Sequence, residues 1–370
     1  MRILFLFSFV LTAALAKAND GAYYASGNHL IPINETTVSV SKEVLKIERV
    51  HEDYIKVTVD YIFHNPGAVK DILVGFEAPS PNGDVNGTPK NGRHPYIENF
   101  KVIMNGEELS YKVAMVQDDA YYQNEQIKSI SVQKAMGDTF NPNEPDFYYV
   151  YHFNTNFQPG TNTIKHEYQF KVSGSVDLAY DFHYILTAAN RWANQQIDDF
   201  TLILDLGDFT DYNISQTFFT GFEYWTGATK FMDGTPLPYS ETETQPLRVI
   251  TNEATVVFKK KNFKPVDELY IYCKRNTQSL QTQTFDHTKL MLPYNVADFK
   301  HLMNASNENA FKILRNLPFA RRGYIFKNEL IQKYFESLEW YQPNPSYQAN
   351  VDLFGKEERE WLLAMKAANR

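Results

Sequence analysis

One cysteine, Cys273, is the only thiol in 370 residues. No intrachain disulfide can form, so stability must come from buried apolar area, which a chain of this length can supply. A thiol nucleophile needs a histidine beside it; the context Leu269-Tyr270-Ile271-Tyr272-Cys273 reads instead as a strand with an inert, buried thiol. Positive charge is also scarce: 36 Lys and Arg against 44 Asp and Glu leave a net charge of −8. Without a basic tract, nucleic acid is not an expected partner. Closely spaced histidine pairs, an HExxH motif, a G-x-S-x-G elbow and a phosphate-cradling glycine loop are all missing. No metal, cofactor or catalytic residue is therefore nominated, and the chain is not expected to be an enzyme.

The weaker chemical signals fail on spacing. Asp118-Asp119 and Asp198-Asp199 are neighbours in sequence, and neighbouring strand residues face opposite ways, so neither pair makes an acid–base couple. The loop Asn82-Gly83-Asp84-Val85-Asn86-Gly87 begins like a calcium-binding EF-hand loop, yet its twelfth position is Arg93, where a bidentate glutamate is needed. His152, His166 and His183 lie on expected strands, where isolated histidines are most often ordinary surface or core residues.

Long apolar runs are absent except at the start. After Met1-Arg2 the chain is apolar from Ile3 to Ala16, broken only by Ser8 and Thr12. A cationic start, a short apolar stretch and small residues at Ala14, Ala16 and Ala18 make residues 1–18 a secretory signal peptide. The run falls short of the roughly 20 apolar residues that span a bilayer. No cysteine follows to carry a lipid, and no later segment is apolar enough to cross. The chain is expected outside the cytoplasm, periplasmic or extracellular, in a bacterium.

From about 36 to 275 the pattern has period two. Ile55, Val57, Val59, Tyr61 and Phe63 alternate with Lys56, Thr58, Asp60, Ile62 and His64, which gives one apolar face and one mostly polar face. Asn65-Pro66-Gly67 supplies a turn, and Ile72 to Phe76 follows at hairpin distance. Asn105-Gly106 sits between Phe100-Val102-Met104 and Leu109-Tyr111-Val113, a strong hairpin signal. Ile164 to Val172 and Phe200 to Leu206 continue the pattern. Pro79 to Pro95 reads as a long loop, and Gln117 to Ala135 as a helix or a flap. Many short strands argue for antiparallel β-sandwich units. The expected division is a first unit over 19–160, a second over 161–275 and a polar linker over 276–284.

Beyond the linker the period changes. Asn307 to Leu317, Lys327 to Phe335 and Lys356 to Lys366 carry helical spacing, with acidic residues near their starts. The overall class is thus α+β multidomain, with a small, mainly helical unit over 285–370. Within it run Arg315-Asn316, then Phe319-Ala320-Arg321-Arg322-Gly323 and Phe326, Tyr334-Phe335 and Trp340-Tyr341. In residue order and spacing, this stretch resembles the YARHG domain of exported bacterial proteins over about 308–367. Phe319 replaces the motif's tyrosine and Arg322 its histidine, so no role resting on an imidazole there carries over. The resemblance implies location and architecture, and no reaction. More faintly, Val59 to Pro66, Tyr184 to Trp192 and Ile197 to Phe200 resemble a family of exported bacterial β proteins.

A patterned arginine either bridges to a carboxylate or faces a ligand, because burying it alone is costly. Glu329, Glu357 and Glu358 are the candidate bridging partners for Arg315, Arg321 and Arg322. If the module recognises a ligand, Arg321, Arg322, Trp340 and Tyr341 are the expected contacts, since guanidinium and aromatic faces suit anionic and sugar groups. Arg315, Asn316, Phe319, Ala320, Gly323, Phe326, Tyr334 and Phe335 are the expected framework. The expected partners are cell-wall glycan or peptide, or another envelope protein. A purely structural role, with the module docked on the β body, is the competing reading, and an envelope hydrolase a third.

Overall fold

A computed structural model describes residues 22–23, 29–32, 37–51, 53–117, 121–124, 126–215, 217–219, 221–237, 245–252, 255–275, 284–295 and 304–367. The expected leader at 1–18, Asp118-Asp119 and nearly all of the expected linker lie outside these residues.

The polypeptide from 37 to 275 is mainly β. A wide sheet orders its strands as Trp225–Thr226, Thr255–Phe263, Ile197–Asp205, Ser39–His51, Tyr54–Asn65, Gly160–Lys171, Ile97–Met104 and Glu107–Glu108. All of its pairings are antiparallel except that between Ile197–Asp205 and Ser39–His51. A four-stranded sheet runs His29–Pro32, Lys70–Pro79, Tyr148–Phe157, Lys112–Val116. A five-stranded sheet runs Leu178–Tyr184, Leu269–Lys274, Thr210–Ile214, Leu247–Thr251, Lys230–Asp233.

One face of the wide sheet packs on both smaller sheets. Phe63 meets Phe157 of the four-stranded sheet with ring centroids 5.4 Å apart. Tyr61, two residues away and so on the same face, meets Tyr184 of the five-stranded sheet. Phe76 against Tyr168 and Phe170 against Phe182 repeat the arrangement. A single apolar core runs from Val38 to Cys273 through all three sheets.

This corrects the expected division near residue 160. The strand Gly160–Lys171 lies between Tyr54–Asn65 and Ile97–Met104, so the sandwiches share a layer built from both halves of the chain. Strand periodicity is local, whereas the choice of partner strand is not. For the same reason Asn65-Pro66-Gly67 is a corner between sheets rather than a hairpin: Tyr54–Asn65 belongs to the wide sheet and Lys70–Pro79 to the four-stranded one. The Asn105-Gly106 turn does form, with φ of 50° and 90°, but its second strand is only Glu107–Glu108 before the chain crosses to the other layer. Within 117–135, Tyr122–Gln123 and Gln126–Ile127 pair, and a single helical turn, α1 (Val132–Ala135), follows.

Among the described residues, the C-terminal unit carries three α-helices close to their expected spans: α2 (Glu308–Ala320), α3 (Glu329–Glu336) and α4 (Lys356–Ala367). Asn307 and Asn328 start α2 and α3 by accepting hydrogen bonds from the N–H groups of Ala310 and Ile331. Pro318 lies inside α2, where it cannot donate to the carbonyl of Leu314. That carbonyl accepts instead from Trp361 Nε1 of α4 at 2.9 Å, so the proline creates the acceptor that ties the helices together.

Candidate functional site

Just past α2 the chain turns through Arg321-Arg322-Gly323. Gly323 has φ 78°, and a side chain there would run into the carbonyl of Gln342 and into Asn344. Only glycine fits this turn without strain. The turn aims both arginines at Glu358 of α4. Arg322 makes a two-pronged pair with it, at 2.7 and 2.8 Å, and also donates to the carbonyls of Pro318 and Leu353. Arg321 shares the same carboxylate at 3.4 Å and donates to the carbonyl of Phe209 at 3.3 Å. Among the three acidic candidates, Glu358 is the one that bridges.

Phe209 comes from the β body, in the loop before Thr210–Ile214. Both guanidinium carbons lie 4.3 Å from its ring centroid. Phe209 holds φ 54°, unusual for a bulky residue, and this backbone turn seats the ring against the two arginines while its carbonyl meets Arg321. Arg321 is 7% exposed, its Nε has no hydrogen-bond partner, and burial pulls its pKa down to about 10.

The remaining residues of the pattern are occupied inside the fold. Trp340 is buried and donates to the carbonyl of Leu292 at 2.7 Å; Tyr341 is buried and donates to the carbonyl of Tyr324 at 2.7 Å. Tyr334 accepts from the N–H of Leu292 and donates to the carbonyl of Leu290. Phe326 stacks on Phe335, and Phe319 packs edge-on against Phe354. Ala320 is buried, and Asn316 donates back to the carbonyl of Lys312. Arg315, assigned to the framework from sequence, is the exposed arginine of the three.

The unit is docked on the five-stranded sheet. Ile250 belongs to the C-terminal core, with Phe209 and Met232 packed against it. Arg248 grips Asp211 with two hydrogen bonds and reaches Glu339 at 2.9 Å, while Lys230 donates to the carbonyl of Glu339. Beside this contact lies a polar cleft of about 590 Å³. The β body contributes Arg49, His51, Asp53, Tyr180, Asp208 and Arg275; the C-terminal unit contributes Arg321 and Glu357. Of the ligand contacts named from sequence, Arg321 lines this cleft, and Arg322, Trp340 and Tyr341 do not. Sequence reasoning missed the β-side residues, which are scattered from 49 to 275 with no motif to mark them.

The three strand histidines do not converge, since each lies in a different sheet. His166 is enclosed by Phe76, Phe100 and Tyr168, and its burial lowers its pKa to about 3. His183 stacks on Tyr270, and His152 lines a separate groove of about 730 Å³ beside Lys112. Asp199 pairs with Lys261, whereas Asp198 accepts from Asn194 and Gln196. Cys273 is buried, with its thiol donating to the carbonyl of Asp211. Among the described residues, no three His, Cys, Asp or Glu side chains are grouped to hold a metal.

Residues 289–370 match the YARHG domain family. This chain carries a YARHG domain. The domain therefore includes Leu290 and Leu292, which precede the motif and supply the carbonyls that Tyr334 and Trp340 bind. No curated protein matches the chain. Among solved structures, a Legionella pneumophila protein provisionally described as nutrient binding is 17% identical, covering 95% of this chain and 100% of that one, with a TM-score of 0.49. An M1 zinc metallopeptidase of Deinococcus radiodurans is 8% identical, covering 64% of this chain and 42% of that one, at 0.23. Baculovirus P35 is 11% identical, covering 64% and 96%, at 0.25. Likenesses this distant transfer neither fold nor activity. Among the described residues, no helix of the YARHG domain or the β body is long and apolar enough to cross a membrane.

Proposed function

We propose that the chain is an exported, non-catalytic binding protein whose recognition site is the cleft between the β body and the YARHG domain. The observation that supports this most directly is the shared construction of the cleft: the docked domain adds Arg321 and Glu357 to a wall that the β body leaves open. The apolar run from Ile3 to Ala16 supports export. A hydrolytic reading fits less well. Asp53, Asp208 and Glu357 are exposed at the rim, and among the described residues none is hydrogen-bonded to another titratable side chain, whereas acid–base catalysis calls for a coupled or desolvated pair. The partners in view are fragments of cell-wall glycan or peptide.

The test is a titration of the chain with small fragments released from cell wall, read by calorimetry. Variants Asp208→Asn and Arg275→Gln, with unchanged melting temperatures, should each weaken binding about tenfold or more. Fragments that bind both variants as tightly as the parent would place recognition elsewhere.

A further inference from the structure

The strand Lys112–Val116 ends the four-stranded sheet and pairs along one side with Tyr148–Phe157. Among the described residues, its other side carries a single bridge, in which Ile130 donates to the carbonyl of Met115 at 2.8 Å. Ser131 then caps α1, and the chain leaves the edge. Residues two apart on a strand turn their backbone groups the same way, so the N–H and C=O of Val113 face outward as those of Met115 do. Among the described residues, Val113 has no hydrogen-bond partner on that side. The groove of about 730 Å³ follows this edge and shares no residue with the cleft. Its lining takes in Ser110, Tyr111, Lys112, Val113 and Ala114 without a gap. A pocket confined to one face of a strand would touch alternate residues.

We propose that this edge takes an extended segment of a partner protein, which adds as a further strand through Val113 and brings an acidic side chain to Lys112. An unpaired edge is a template for another strand; main-chain bonds supply affinity, and the groove beside it selects side chains. Lys112 sets the sign. It is exposed and, among the described residues, makes no ion pair. His152 lies opposite it on the neighbouring strand, with its pKa lowered by burial and then by Lys112, so it adds no charge at neutral pH. A second copy of this chain fits poorly, because edge-to-edge pairing about Val113 brings two Lys112 side chains together. The run from Ser110 to Ala114 spans about 13 Å, room for a short strand.

The experiment uses the full chain, immobilised, and three mixed hexapeptide libraries, acetylated and amidated, with the third position fixed as Glu, Gln or Lys. The Glu library should be retained best and the Lys library least. Val113→Pro removes only the outward N–H, which the sheet does not use, and Lys112→Glu reverses the charge. At unchanged melting temperature, each should weaken the best-retained peptide about tenfold or more, whereas Asp208→Asn in the cleft should not. Methylating the peptide's own amide nitrogens one at a time should abolish binding at one or more positions, a readout that needs no variant to fold. Equal retention of the three libraries, indifference to every methylation, or no retention at all overturns the proposal. Binding lost in Asp208→Asn but kept in Lys112→Glu assigns the peptide to the cleft and overturns it too. A dimer of the chain that Val113→Pro dissolves makes a second copy the occupant, with the same consequence.

Discussion

Glu43 shows how one residue sets a pH dependence. A bulge between Val40 and Lys42 shifts the strand phase, so that Glu43, followed by Leu45 and Ile47, points into the core. There its carboxyl is hydrogen-bonded to Tyr184, beside Tyr61, and burial raises its pKa from 4.5 to about 8. In the unfolded chain the same group ionises near 4.5. Its stabilising share is therefore whole below about 4.5 and is lost as pH rises to about 8, at roughly 1.4 kcal/mol per pH unit at most. Buried Asp181, raised to about 7, acts in the same direction. His94 and His166, both lowered to about 3, act oppositely, and they lose stability as pH falls from 6.5 towards 3. Urea unfolding of Glu43→Gln should therefore show a flatter fall in stability between pH 5 and 8 than the parent. Parallel profiles for the two proteins would show that Glu43 is not the titrating group.

At the scale of elements, the two-arginine turn after α2 and the start of α4 form one electrostatic unit. Glu358 balances two guanidinium groups, that of buried Arg321 and that of half-buried Arg322, both within 3.4 Å. Removing it strands two charges in a site from which water is largely excluded. Loss of one partner from a buried pair typically costs about 3–5 kcal/mol. Glu358→Ala is expected to lower the melting temperature by several degrees and to unfold the C-terminal unit ahead of the β body. Replacing the exposed Arg315 with alanine should leave the melt nearly unchanged. A Glu358→Ala melt that overlays the parent would mean that solvent reaches the two arginines.

Over the whole molecule, the docked YARHG domain covers apolar surface of the five-stranded sheet. Ile250 is fully buried by it, and Phe209 and Met232 pack alongside. A chain ended at Arg275 keeps the single core that spans the three sheets and so should still melt cooperatively. It should also bind a fluorescent apolar dye that the full chain does not, because Ile250 and Phe209 are uncovered. Unchanged dye binding would show that apolar burial contributes little to the docking.

The strands, the C-terminal helices and the need of the patterned arginines for an acidic partner were legible in the sequence, which left Glu329, Glu357 and Glu358 open as that partner. Each follows from spacing a few residues long: period two for a half-buried strand, helical spacing with acidic residues near the start for the helices, a buried arginine that requires an acid. The sequence by itself determined which residues turn inward and that the C-terminal unit is separate in kind. Only the tertiary structure decided that strands from both sides of residue 160 share one sheet, that the apparent Asn65-Pro66-Gly67 hairpin is a corner, and that Arg49, Asp53, Asp208 and Arg275 meet Arg321 and Glu357 at one cleft. Those outcomes join residues tens to hundreds of positions apart. The local pattern that creates a strand or an exposed charge is the same whichever partner it finally meets.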